Sequence, residues 1–218
     1  MRAASRIAVV TGASRRQGIG AAICRALAAD GVDIAFTHWQ TYDREMPWGA
    51  DPNGPTALVT ELQAQGVRAV AIEADLSQPE TPAWLLDEVT TQLGPPAILV
   101  NYAAYSTRDG YARLDAATLD AHYAVNLRAT ALLSVELARR WPGGPGGRII
   151  NLTSGQSLGP MPEELAYAAT KGAVEALTVS LAAGVSPLGI TVNAVNPGPA
   201  DTGWMSDELK AALLPRFP

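Results

Sequence analysis

The chain has 218 residues, 48% of them apolar, and a formal net charge of −5. That length suits one domain or two small ones with ample core, and the acidic balance argues against nucleic acid or an anionic membrane as the main partner. A single cysteine, Cys24, excludes an internal disulfide, the two histidines, His38 and His122, suggest no zinc cluster, and no apolar run is long enough to span a bilayer.

Residues 7–10 (Ile-Ala-Val-Val) form a short, continuous apolar run of the kind a buried parallel strand shows. Arg2 and Arg6 precede it, but Thr11-Gly12 ends it too early for a signal peptide. The expectation is therefore a cytoplasmic, metal-free protein. The run leads into Thr11-Gly-Ala-Ser-Arg-Arg-Gln-Gly-Ile-Gly20 and then a helical pattern carrying Ile23, Cys24 and Leu27. Strand, glycine turn and helix in that order make a pyrophosphate cradle. Glycine lets the backbone approach the anion, and the helix N-terminus offers free N–H groups and its positive dipole end.

Further strands are expected at 33–37, 68–73, 97–101, 148–152 and 190–195, and helices at 55–65, 79–93, 116–141 and 163–185. Short links between buried strands and helices imply an α/β fold, a doubly wound parallel sheet with helices on both faces. Ligands of such sheets sit outside the carboxyl ends of the strands. That rule selects Gly12–Gly20, His38-Trp39, Asp75-Leu76, 101–104, Ser154 and Asn196-Pro197-Gly198 as neighbours at one edge. The long link 39–54 carries two tryptophans and two prolines, which suggests a packed loop beside the adenosine end of the site. The Pro-Gly-Gly-Pro-Gly-Gly stretch at 142–147 reads as a structural turn.

Near the end of the chain, Tyr167 and Lys171 stand four residues apart, and Ser154 lies thirteen residues before the tyrosine. Positions i and i+4 share a helix face. A free phenol, with a pKa of about 10, shuttles protons poorly at neutral pH. A neighbouring cation favours phenolate and lowers that value, making the phenol a usable general acid and base. The serine hydroxyl can donate to the same substrate oxygen.

Together these motifs resemble the short-chain dehydrogenase/reductase family and are similar to its 3-oxoacyl-[acyl-carrier-protein] reductases, from about Ile7 to Trp204. The resemblance implies a single NAD(P)-binding Rossmann-type domain over 1–218, with the substrate site on the same domain. It implies a catalytic set of Asn126, Ser154, Tyr167 and Lys171. Tyr167 would exchange a proton with the substrate oxygen, Ser154 would polarise the carbonyl, and Asn126 would hold a water leading to Lys171. Lys171 would also lower the tyrosine pKa and, with Tyr167, contact the nicotinamide ribose. Cofactor contacts are implied at Gly12, Ser14, Arg15, Arg16, Gly18, Ile19, Gly20, His38, Asp75, Leu76, Asn101, Ala103, Pro197, Gly198 and Thr202. Homodimers or homotetramers are usual in the family, and the substrate would be a small carbonyl or alcohol, a 3-oxoacyl thioester among them.

Three departures stand out. The glycine loop is two residues longer than the commonest version, with Arg15, Arg16 and Gln17 in the expansion. The family's Asn-Asn-Ala-Gly reads Asn101-Tyr-Ala-Ala104. Relatives usually continue beyond Pro218 with a further helix and a seventh strand, so an unpaired edge at 190–195 is expected. That short end also leaves a second reading open, a truncated, non-catalytic dinucleotide-binding protein. No carboxylate follows the second strand immediately, where NAD sites commonly place one, and Arg15 and Arg16 can pair with a 2′-phosphate. The expected cofactor is NADP(H), with Asp43 and Glu45 keeping NAD(H) open.

Overall fold

A computed structural model describes residues 6–203, Met205 and 207–213. Six parallel strands make one sheet in the order β3-β2-β1-β4-β5-β6: β1 Ile7–Val10, β2 Asp33–His38, β3 Ala69–Glu73, β4 Ile98–Asn101, β5 Gly147–Leu152 and β6 Ile190–Val195. The chain starts in the middle, winds outward through β2 and β3, then returns past β1 to β4. The order therefore reverses between β1 and β4, and a crevice opens there at the carboxyl edge.

Both sheet faces are covered, which is why the strands read as unbroken apolar runs rather than alternating ones. Ala8 and Val10 point to one face. They meet Cys24 of α1 (Ile19–Ala29) and Leu58 and Leu62 of α3 (Gly54–Ala64). Val9 points to the other and meets Leu85, Leu86 and Val89 of α4 (Thr81–Gln92) and Leu133 and Leu137 of α7 (Thr130–Arg140). Burying each such side chain contributes roughly 1.5–3 kcal/mol. Cys24 is the buried small residue its position suggested, and burial pushes its thiol pKa up to about 12.

Two expected elements differ in detail. The link 39–54 contains a short helix, α2 (Gln40–Glu45). The helix expected over 116–141 follows α5 (Gly110–Arg113) and begins as α6 (Ala116–His122). It widens to a π-helical stretch over Tyr123–Ala129 and resumes as α7. Such widened turns are rare and concentrate at functional sites; Asn126 lies at the middle of this one. Next come β5, a 3₁₀ turn at Gly155–Ser157, the long helix α8 (Leu165–Val185), β6 and α9 (Asp207–Leu213). Among the described residues β6 is one edge of the sheet. It buries Ile190 and Val192 but leaves Thr191, Asn193 and Val195 exposed.

The glycine-rich turn at 142–147 has the structural role its composition suggested. Trp141 Nε1 donates to the carbonyls of Gly144 and Leu188, 3.1 Å each. Gly189, with φ +80°, leads into β6 so close to this turn that a Cβ would lie 2.2 Å from the Gly144 oxygen. Gly189→Ala should therefore lower stability by more than the about 1–2 kcal/mol of a left-handed backbone alone. Urea unfolding checks this; an unchanged midpoint would show that the turn yields freely.

Candidate active site

The carboxyl ends of β1 and β4 approach each other only because position 12 lacks a side chain. Gly12 has φ +80°, and a Cβ there would sit 2.7 Å from Ala103 Cα. Thr11 Oγ1 accepts from the N–H groups of Tyr102 and Ala103, 3.0 Å each, and Gly12 N–H donates to Thr37 Oγ1 at 3.1 Å. Gly20 is as constrained, since a Cβ would lie 2.8 Å from the Gly12 carbonyl oxygen. Gly18 is the N-cap of α1 and brings no capping side chain of its own, and the Tyr102 phenol reaches the backbone of Ile19, the first residue of the helix. The start of α1 thus lies beside a backbone with no protruding Cβ at Gly18 and Gly20, where helix N–H groups favour an anion, with the Tyr102 ring packed against Gly20. These features fit the pyrophosphate of a dinucleotide.

Around this turn, Ser14 Oγ accepts from Trp39 N–H at 3.0 Å. Arg15 donates to the carbonyl and hydroxyl of Thr202, at 3.1 and 3.4 Å. It also lies 3.5 Å from Asp43 and stacks 4.7 Å from the Trp48 ring. Trp48 Nε1 donates to Asp43 at 2.9 Å. Tyr42 O–H donates to the Ser106 carbonyl at 3.1 Å, and its ring packs 5.5 Å from that of Tyr105. The 39–54 segment therefore reaches well past the adenosine end expected for it, to the loop after β4 and, through Arg15, to the segment after β6. Tyr42 and Trp48 have no signal in the sequence beyond the length and tryptophan content of that link, and Asp43, expected as a carboxylate that keeps NAD(H) open, is held by Arg15 and Trp48.

His38 ends β2, and its Nδ1 is buried with no hydrogen-bond partner among the described residues. Burial lowers its pKa, so it carries no charge at neutral pH. Asp75 accepts from Ser77 N–H at 2.9 Å and Gln78 Nε2 at 3.0 Å. Burial opposes ionisation there, but these bonds outweigh it and hold the carboxyl below its usual range. Leu76 is buried beside it. Asn101 does not point its side chain into the crevice. Its amide is buried and donates to Ser134 Oγ (3.0 Å) and Asn151 Oδ1 (2.8 Å), because it pairs in register with Asn151 in the sheet interior. Ala103 lies at the crevice floor against Gly12. Pro197 and Gly198 are exposed, while Thr202 is buried under Arg15. Arg16, with Arg15, Gln17, Trp48 and Asp51, lines a basin of about 600 Å³.

At the other end of the crevice, Tyr167 and Lys171 are on α8, and Ser154 follows β5. Ser154 lies close enough to Tyr167 for its hydroxyl to lower the phenol pKa. The serine segment is anchored to α8: Ser154 N–H donates to Gln156 Oε1 (3.1 Å), and Gln156 Nε2 donates to Glu175 (2.7 Å). Asn126 clamps the loop after β4. Its Oδ1 accepts from Tyr105 N–H at 2.7 Å, and its Nδ2 donates to the Tyr105 carbonyl at 2.9 Å and to Thr170 Oγ1 at 3.1 Å.

One electrostatic expectation is corrected. Burial raises the Tyr167 pKa, and the Ser154 hydrogen bond only partly offsets it. Lys171 does not bring the phenol down, because its ammonium faces the ring, 5.6 Å from the centroid, and donates to the Leu152 carbonyl at 2.7 Å. Burial lowers Lys171 itself to about 8.

Sequence comparison decides the family. The short chain dehydrogenase family profile matches residues 6–212. The chain belongs to that family. The uncharacterized oxidoreductase YjdA of Bacillus subtilis (strain 168) is 50% identical over 219 residues, covering 98% of this chain and 82% of its own. A short chain dehydrogenase from Burkholderia cenocepacia J2315, solved in complex with NADP, has a TM-score of 0.81 at 37% identity over 95% of this chain and 80% of that one. A blue fluorescent protein from a metagenomic library, in complex with NADPH, gives 0.80 at 38% identity over 91% and 76%. The protein is thus an NAD(P)-dependent oxidoreductase of the short-chain type. Among the described residues no helix is long and apolar enough to cross a membrane, and no three His, Cys, Asp or Glu side chains are grouped to hold a metal ion.

The buried ammonium has a measurable consequence. The Lys171 pKa falls from 10.5 to about 8 on folding. Below pH 8 both states are protonated and the folded chain bears the full burial cost, of order 3 kcal/mol. Between 8 and 10.5 the unfolded chain holds more protons, so stability from this group rises with pH. The stability of Lys171→Met minus that of the native chain should therefore fall as pH rises through this window in urea titrations. A flat difference would mean that the ammonium is not desolvated.

Proposed function

We propose that the protein transfers a hydride between NADP(H) and a small carbonyl or alcohol, with Tyr167, Ser154, Lys171 and Asn126 as its catalytic set. The observation that carries this reading is the pairing of Ser154 and Tyr167, close enough for the serine to lower the phenol pKa, at the end of a crevice whose floor is Gly12 and Ala103. Bound nicotinamide supplies or accepts the hydride. Tyr167 gives its proton to the carbonyl oxygen in reduction and takes one from the alcohol in oxidation. A phenol whose pKa is raised by burial is protonated at neutral pH, the form that reduction requires. Ser154 donates to the same oxygen as charge develops on it. Lys171 keeps its protonated amine against the Leu152 carbonyl, beside the phenol ring. Asn126 holds the loop after β4 and the turn of α8 before Lys171 in register.

The turn at Gly12, Ser14, Gly18, Ile19 and Gly20 would hold the pyrophosphate, with Asp75 and Leu76 at the adenine and Pro197, Gly198 and Thr202 at the nicotinamide. Preference for the 2′-phosphate is supported by charge. Burial holds His38 toward its neutral form, and Asp43, the buried carboxylate after β2, is engaged by Arg15 and Trp48; the exposed Glu73, in register with His38, is the carboxylate that would oppose this preference. Arg15 and Arg16 line the adjoining basin. A 3-oxoacyl thioester is the substrate class to try first. Association into a dimer or tetramer would use the outer faces of α7 and α8, where Val179 is exposed.

Titration of the chain with NADPH and NADH, followed by nucleotide fluorescence, should show saturable binding with NADPH tighter. Arg16→Ala should weaken NADPH by about tenfold or more, the scale of a charged hydrogen bond, and leave NADH unchanged. Equal affinities would overturn the NADP(H) assignment. Tyr167→Phe should lower kcat by about 10²–10⁴ with NADPH binding intact; native turnover in that variant would remove the tyrosine from the mechanism.

A further inference from the structure

Helix α8 carries Tyr167 and Lys171, yet its own sequence gives it no cap. Its N-cap residue, Glu164, makes no side-chain cap hydrogen bond, and its first turn contains no acidic residue. The first N–H groups of a helix need partners from elsewhere. Here they find one 56 residues upstream. Asp109, on the loop after β4, accepts from Leu165 N–H through Oδ1 at 2.7 Å and from Ala166 N–H through Oδ2 at 2.9 Å. Its Oδ1 also accepts from Gly110 N–H, and its own N–H donates to the Glu163 carbonyl at 3.0 Å. The side chain is almost wholly buried. Burial works against the charge, but the three N–H groups outweigh it and hold the carboxyl below its usual range.

The two amides that Asp109 holds belong to the residues immediately before Tyr167. The other end of the same loop is tied by Asn126 to Thr170, the residue before Lys171. The loop is thus stapled to α8 on both sides of the phenol.

We propose that Asp109 is a positioning residue: its carboxylate caps α8 from outside the helix and so holds the Tyr167 phenol within hydrogen-bonding reach of Ser154, without touching substrate. Its effect on turnover rests on the reading of Tyr167 as the acid–base group; the capping itself does not. A negative group at a helix N-terminus is also favoured by the helix dipole. Asparagine at 109 would keep the shape but offer one acceptor oxygen and remove the charge.

The test uses the 218-residue chain with NADPH and a carbonyl that it reduces. Asp109→Asn should lower kcat about ten- to hundredfold, the cost of a small misplacement, while KM and NADPH affinity stay within about twofold. Loosening the Ser154 contact should also move the controlling group in the pH–rate profile upward, since that bond lowers the phenol pKa. Hydrogen exchange at Leu165 and Ala166 should speed up, which judges the cap even if no carbonyl is turned over. Asp115→Asn serves as a control, because Asp115 caps α6 by accepting from Thr118 N–H; it should expose that amide and leave kcat unchanged. A local cap, Glu164→Ser, should restore kcat in the Asp109→Asn background, and should restore folding if that variant alone fails to fold. The proposal is overturned if Asp109→Asn keeps native kcat, if kcat and NADPH affinity fall together with the folded fraction, or if Glu164→Ser rescues nothing.

Discussion

The absence of a Cβ at Gly12 is the constraint on which this structure turns. A parallel sheet that winds outward and then reverses must leave two neighbouring strands whose outgoing chains diverge. Here these are β1 and β4. Any side chain at 12 would collide with Ala103 backbone. With hydrogen there, Thr11 gathers the N–H groups of residues 102 and 103, and Thr37 takes that of Gly12. The ends of β1, β2 and β4 are locked together by two threonine hydroxyls. That lock sets the start of α1 beside the crevice, with Tyr102 packed against Gly20.

The crevice's reactive end depends on burial rather than on charge pairing. Burial alone lowers the Lys171 pKa, and its ammonium donates to the Leu152 backbone carbonyl. Tyr167 is raised by the same burial. Both groups are therefore displaced toward their uncharged forms, and neither takes up the other's charge in this arrangement. A buried carboxylate beside them would fix the ammonium but leave the phenol harder to ionise. The Glu164 carboxylate also raises the phenol pKa, while the buried Asp109 gives its charge to three backbone N–H groups. Asp109 stabilises the helix end without entering the proton-transfer site.

Much of this was legible in the sequence, for identifiable reasons. Each of the six strands carries an apolar segment, and run lengths and preceding or following glycines mark them. Tyr167, Lys171 and Ser154 are legible because a helix and a strand end have fixed geometry. What sequence spacing does not encode is the direction of a side chain at a strand end. Asn101 lies at the carboxyl end of β4, as expected, but its pleat points the amide inward to Ser134 and Asn151. Nor does a helical pattern reveal a widened turn, since the π-helical stretch around Asn126 changes hydrogen-bond register without changing composition. Asp109 was illegible for a third reason: its partners are backbone groups of a distant helix, and only the folded chain brings them together.

The 39–54 segment shows how such long-range contacts change the meaning of a local motif. Read alone, Arg15 is a free cation in an expanded glycine loop. In the folded chain it stacks on Trp48, pairs with Asp43 and donates twice to Thr202. Asp43 in turn accepts from Trp48, and Tyr42, one residue before it, reaches the Ser106 carbonyl. Loops after β1, β2, β4 and β6 are thereby joined by one guanidinium and one phenol across the crevice. Among the described residues Arg16 makes no side-chain hydrogen bond or ion pair; it is exposed on the basin wall, and its charge is felt by Glu61. Two adjacent arginines thus differ in kind: the first holds the crevice's walls together, and the second presents an exposed charge on the basin wall.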